Sequence, residues 1–299
     1  MLSPQETRAI KANLFKAAHG IFEREPSFRW HKDRTGRITA DRPRSSQALA
    51  VDLFETTRSL SASQVVLDAW MEHLGIPSTG SWNITLESEM PRTLLGEPRP
   101  TQVDAVLQSD KTLVLFECKF TEAGGGRCSQ TDPIREGAHA GAIQCNGRYE
   151  LQTNPVNQIE SRCTLTGKGV RYWEFVQPTL GFNSAIDHAP CPFVGGNYQL
   201  MRNTVAAYAL GRAQNRWPAF VLLYADGDLP VAKGVKGREW LDFCQQSQQS
   251  AVTVRAVSYQ TLLDVAAVAA RDEDQRIISE LKAWVNKKID GQSGQHAAS

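Results

Sequence analysis

The sequence predicts an α/β domain with a mixed sheet flanked by helices, and two observations carry that prediction. Hydrophobic periodicity switches repeatedly between the helical repeat and the alternation of strands. Short apolar runs such as "TLVLFECK" and "AFVLLY" are embedded among amphipathic segments, as expected of strands covered on both faces. A chain of 299 residues is long enough to bury a substantial core.

Taken in order, a first helix is expected from Pro4 to Phe22, followed by a basic loop or small hairpin containing Gly36 and Pro43. Residues 45–60 begin with Ser45 and Ser46, either of which can cap a helix whose apolar face holds Ala48, Val51, Leu53 and Phe54. Residues 61–76 read as the next helix, stopped by Gly75 and Pro77. The period then becomes two: Trp82, Ile84 and Leu86 alternate with Asn83, Thr85 and Glu87, the pattern of a half-buried strand. Two more strands, within residues 100–110 and 111–120, are separated by turn residues at Ser109 and Asp110 and suit an antiparallel hairpin. Residues 137–152 are expected to form a helix weakened by Gly147. Helix 199–213, strand 218–226, helix 237–247, strand 251–259 and a helix over 259–289 broken near Arg271 complete the order. The polar end, residues 290–299, reads as a disordered tail. Three segments are expected: an N-terminal helix and basic arm (1–44), a main domain (45–289) and the tail (290–299).

Composition excludes several classes. No apolar stretch approaches the roughly 18 residues that cross a bilayer, and the amphipathic N-terminus has no signal-peptide core, so a cytoplasmic protein without membrane contact is expected. The net charge of +1 gives no global polyanion signal, although Arg24, Arg29, Lys32, Arg34, Arg37, Arg42 and Arg44 interleave with Phe28 and Trp30 in a stretch that suits either nucleic acid or plain solvent exposure. Six cysteines lack a CxxC pair. A zinc site from Cys128, Cys145, Cys163 and Cys191 matches no compact ligand knuckle, so thiols without metal are the expectation. His139 and His188 lack ligand spacing, and no P-loop, GxGxxG or GxSxG is present.

The chemistry concentrates at the end of the third strand. Glu117 and Lys119 stand two apart and project from one face. In a hairpin, Asp104 lies beside Glu117, and two carboxylates that close repel unless a cation sits between them. Oxygen ligands suit Mg2+ or Mn2+. On this reading Asp104 and Glu117, with the Cys118 backbone carbonyl, hold a metal, while Lys119 positions water or offsets charge on a phosphate. Glu87 is the preferred further acid, with Glu55 and Glu89 as rivals.

Asp104, twelve residues, then Glu117-Cys118-Lys119 resembles the D-x(n)-ExK signature of the PD-(D/E)XK, or restriction endonuclease-like, nucleases. Val103 stands where that motif has proline. The strings "SSQALAVDLF", "PTQVDAVL", "ECKFTE", "CSQ", "AIQCNGRYEL" and "YQLMRN" extend the resemblance, to a bacterial restriction endonuclease-like group, over about residues 45–225. The resemblance implies a three-layer α/β/α core and divalent-metal-dependent cleavage of DNA or RNA, for which DNA and Mg2+ or Mn2+ are the expectation; separately, two-fold-related DNA strands suit a homodimer. The resemblance also implies a polar residue on the helix after the ExK strand, for which Gln144 is the candidate; Arg148 and Tyr149 are assigned to packing. The alternative is a DNA-binding module of the same fold without catalysis.

Overall fold

The structure is a computed structural model describing residues 2–122, 124–147, 163–181, 191–247 and 250–296. Five strands form one sheet in the order β1 (Asn83–Glu89), β2 (Gln102–Gln108), β3 (Thr112–Lys119), β4 (Trp217–Tyr224) and β5 (Thr253–Ser258). The first three are antiparallel, and β3, β4 and β5 run parallel. β3 therefore lies at the centre and is buried at every position. Val114, Phe116 and Cys118 face one core, Leu113 and Leu115 the other.

Helices cover both faces. On the first lie α1 (Pro4–Asn13), α2 (Ile21–Arg24), α3 (Ser46–Ser59), α4 (Ser63–Leu74), α11 (Tyr259–Ala269) and α12 (Asp272–His296); on the second lie α5 (Arg92–Leu95), α7 (Tyr172–Leu180), α8 (Tyr198–Ala213) and α10 (Arg238–Ser247). Short helices α6 (Thr164–Gly167) and α9 (Pro230–Val235) lie in connections. The α/β/α layering expected of a restriction endonuclease-like fold is what forms, because each sheet face presents its own apolar set. Among the described residues no helix is long and apolar enough to cross a membrane.

Ser45, rather than Ser46, caps α3: its hydroxyl accepts from the Ala48 N–H. α3 is the helix most deeply enclosed, and Phe54 packs edge-on against Phe116, ring centres 5.2 Å apart. Gly75 ends α4 in the left-handed conformation (φ 65°), where it meets no Cβ penalty. The break expected near Arg271 separates α11 from α12, and α12 is helical as far as His296, beyond the expected start of the tail.

Two expectations need correction. The first helix stops at Asn13, whose side-chain amide donates to the Ala40 and Arg42 carbonyls, and a 3-10 segment (Lys16–Gly20) and α2 follow. Residues 137–147 form turns instead of the expected helix, because Gly137, Gly141 and Gly147 all adopt positive φ; residues 148–152 of that segment, with Arg148 and Tyr149, lie outside the described residues.

The basic stretch before α3 is folded into the protein. Trp30 is buried and packs on Phe22 and Phe28, ring centres 5.5 and 4.7 Å away, so its ring is committed to the core. Arg24 pairs with Glu55, Arg29 with Glu89, Arg37 with Asp41 and Arg42 with Asp33. These pairings remove much of the charge that made the stretch attractive for nucleic acid.

Candidate functional site

The sheet register assembles three acids in one row. Leu86 pairs with Ala105 and Ser88 with Val103, which sets Glu87 across from Asp104; Ala105 pairs with Phe116, which sets Glu117 on the other side of Asp104. The β2–β3 ladder stops there. Asp104 Oδ2 takes the Cys118 N–H at 2.6 Å, so a carboxylate replaces a main-chain acceptor and β2 parts from β3 beyond this point, while β1 stays paired with β2 as far as Glu89 and Gln102.

Glu87 is the one strand residue here with a left-handed backbone (φ 51°), an arrangement that costs a non-glycine residue about 1–3 kcal/mol. The turn breaks the alternation of β1. Its carboxylate accepts from Gln47 Nε2 at 2.7 Å and Gln102 Nε2 at 2.5 Å, and lies 3.0 Å from His31 Nε2. Gln47 also accepts from the His31 N–H at 2.8 Å and donates to the Arg29 carbonyl, tying the basic arm to the site.

Glu117 turns toward α8. Its Oε1 accepts from Gln199 Nε2 at 2.5 Å and lies 2.7 Å from Lys119 Nζ, while Oε2 accepts from Asn203 Nδ2 at 2.6 Å. Lys119 also donates to Gln199 Oε1 at 3.0 Å. Gln199 and Asn203 are four apart and so share a helix face.

Electrostatics follow from the crowding. Loss of water raises the Asp104 carboxyl well above the usual range, and the charges of Glu117 and Glu87 push it further; the Cys118 N–H and Lys119 only partly oppose this. Burial of Lys119 favours its neutral form, but the charge and hydrogen bond of Glu117 outweigh burial and raise its pKa. His31 is also raised, chiefly by its hydrogen bond to Glu87. The cleft thus binds protons where it lacks positive charge.

That deficit fits a cation. His31, Glu87 and Asp104 each offer a ligand atom, all within 4.8 Å of one another. The two carboxylates suit Mg2+ or Mn2+, whereas an imidazole donor favours a transition metal over Mg2+. This group takes in Asp104 and Glu87 but not Glu117, and its third member is His31, which the sequence did not suggest. Glu55 instead pairs with Arg24 and Arg58 beneath α3, and Glu89 with Arg29 at the surface. Glu117 is held by α8, and the Cys118 N–H is engaged by Asp104.

Gln144 lies in a turn, where its Oε1 accepts from Lys168 Nζ at 2.5 Å. The polar residues that reach Glu117 come from α8. Asn203 had a readable signal, since an amide stands between Met201 and Val205 on a buried helix. His31 had none: it meets Glu87 across 56 residues through an isolated bridge segment.

Neither a curated protein nor a solved structure matches this chain. The family described as Restriction Endonuclease associating with ARP matches residues 5–283. That span takes in the basic arm, the acid row and α8 alike, and the chain belongs to this restriction endonuclease family.

Proposed function

We propose that this protein is a divalent-metal-dependent nuclease of the PD-(D/E)XK type that hydrolyses phosphodiester bonds in DNA. The observation that carries the proposal is the row Glu87, Asp104 and Glu117 across β1, β2 and β3 at the point where the β2–β3 ladder ends, with Lys119 beside it. Acids concentrated beside a buried run are tolerated where they are paired or functional.

Asp104 and Glu87, with His31 as a further donor, would hold Mg2+ or Mn2+; Glu117 and the Cys118 carbonyl are the further ligands expected from the sequence. The bound ion polarises the phosphate and lowers the pKa of water. Lys119, kept cationic by Glu117, orients the attacking water and offsets charge growing on the phosphate oxygens. Gln199 and Asn203 fix the Glu117 carboxylate, and Gln199 aligns Lys119 through the same amide. Gln47 and Gln102 hold Glu87 in its strained turn. A homodimer would present two such clefts to a duplex.

The test is incubation of plasmid and of single-stranded DNA and RNA with Mg2+, Mn2+ or EDTA. Asp104→Ala and Lys119→Ala should each lower cleavage by at least about 100-fold. Cleavage that survives EDTA, or both substitutions, would contradict the mechanism. DNA binding without cleavage under every condition would favour a non-catalytic binding module.

A further inference from the structure

Four of the six cysteines, Cys128, Cys145, Cys163 and Cys191, line one cavity of about 30 Å3. They come from segments spread over 64 residues, and the spacing alone had pointed to thiols without metal. The remaining two, Cys118 and Cys244, lie elsewhere in the two cores.

The segments are stitched together by backbone bonds. Cys145 N–H donates to the Gln130 carbonyl at 3.1 Å, and Cys191 N–H donates to the Gly147 carbonyl at 2.6 Å. Two of the sulfurs accept a main-chain N–H from the residue two positions on: Gly147 donates to Cys145 Sγ at 3.4 Å, and Gln130 donates to the sulfur of Cys128. Gly147 reaches its position with φ 72°, and an added Cβ would come within 2.8 Å of Val194. Such N–H donors stabilise a thiolate far more than a thiol.

Burial pushes the Cys128 thiol up to about 12, and the other three cysteines add to the rise, so all four share one electrostatic environment. The rest of the lining is apolar or neutral, including Leu165 and Val194, with no carboxylate or imidazole. Lys168 supplies positive charge at the rim, donating to Gln130 Oε1 and Gln144 Oε1, each close in sequence to a cysteine.

We propose that these four cysteines bind one Zn2+ as a structural site, separate from the acid row and independent of the nuclease reading. Four sulfur donors select zinc or iron–sulfur centres, and a space of about one water's volume admits a single ion rather than a cluster. Binding releases four thiol protons and forms four Zn–S bonds, with no change of oxidation state; Lys168 offsets part of the resulting negative charge. Among the described residues only His31, Glu87 and Asp104 bring three donor atoms within 4.8 Å of one another, so the four sulfurs lining this cavity stand farther apart and zinc binding would have to draw them inward.

The connection between β3 and α8 gives the ion a task. Among its described residues, regular structure is limited to a 3-10 turn (Ser129–Thr131), α6 and α7. A metal joining four points supplies the cohesion that so little regular structure lacks. The same connection seats the start of α8, since the Tyr198 and Gln199 N–H groups donate to the Gly126 and Gly125 carbonyls at 3.1 and 2.6 Å. The ion therefore also steadies Gln199, the partner of Glu117 and Lys119.

Metal content of the purified full chain, grown with zinc and without chelators, tests this. The wild type should carry about one zinc per chain, and Cys128→Ser and Cys163→Ser should each lose it at least about tenfold. Cys244→Ser and Asp104→Ala should retain it. Wild-type protein produced in cobalt-supplemented medium should show thiolate-to-cobalt charge-transfer absorption and tetrahedral cobalt bands, a readout that requires no variant to fold. Absence of both zinc and these bands overturns the proposal. So does iron at the cysteines, or zinc that is lost with Asp104 rather than with the cysteines.

Discussion

Asp104→Asn should stabilise the metal-free protein while abolishing its response to Mg2+ or Mn2+. The substitution preserves shape and leaves an oxygen to accept the Cys118 N–H, but removes one negative charge from beside Glu87 and Glu117. Two unit charges within 4.8 Å repel by about 3.5 kcal/mol at an effective dielectric of about 20. The Cys118 N–H and the Lys119 charge already offset part of this, so the net gain expected at pH 8 is about 1–2 kcal/mol. For a chain of this size that is a rise in Tm of roughly 2–3 °C. The sign with pH follows from Asp104 being raised in the folded state. Its proton-bound form is stabilising at low pH, and that stability is lost as pH rises through the raised pKa, so the advantage of asparagine should shrink toward pH 5. Thermal unfolding in EDTA at pH 5 and pH 8, repeated with excess Mn2+, reads both effects. Mn2+ should stabilise the wild type by mass action and leave the variant unmoved. A variant less stable than wild type in EDTA at pH 8, or equally stabilised by Mn2+, would refute the reasoning.

Asn203→Ala leaves Glu117 Oε2 without its donor at a buried position, so a loss of about 1–3 kcal/mol in urea unfolding is expected, together with weakened cleavage. Gln199→Ala, near the start of the same helix, should lower kcat at least about tenfold with a smaller change in stability, measured by single-turnover cleavage. Lys288→Ala should cost about 3–5 kcal/mol near neutral pH, because Asp52 is fully buried and relies on Lys288 Nζ at 2.9 Å. Asp52 is raised by burial, so that loss should shrink in acid as the carboxyl takes a proton, seen in unfolding at pH 5 against pH 8. Phe54→Ala should cost about 3–5 kcal/mol by chemical denaturation, since the ring is fully enclosed between Phe116 and Trp70.

The local code was sufficient wherever periodicity and burial coincide. The run from Leu113 to Phe116 is apolar throughout because β3 is the central strand, covered on both faces, and the hairpin spacing placed Asp104 beside Glu117 without reference to any other element. The α3, α4 and α8 helices were legible for the same reason: their apolar faces are continuous in sequence. Glycines defeated the helical reading of 137–147, since three positive-φ positions outweigh the apolar spacing there. The sequence preferred Glu87 to Glu55 and Glu89 but held no sign that Arg24 and Arg58 pair with Glu55, and Arg29 with Glu89, from other parts of the fold. Likewise, the partners His31 for Glu87 and Gln199 and Asn203 for Glu117, and the gathering of four scattered cysteines, join residues 17 to 86 positions apart. Sequence alone determined the strands, their order at the hairpin and the acids they carry, because those follow from nearest-neighbour patterning. Tertiary structure decided which side chains meet those acids, because such contacts are set by how helices and loops pack across the sheet and leave no periodic trace along the chain.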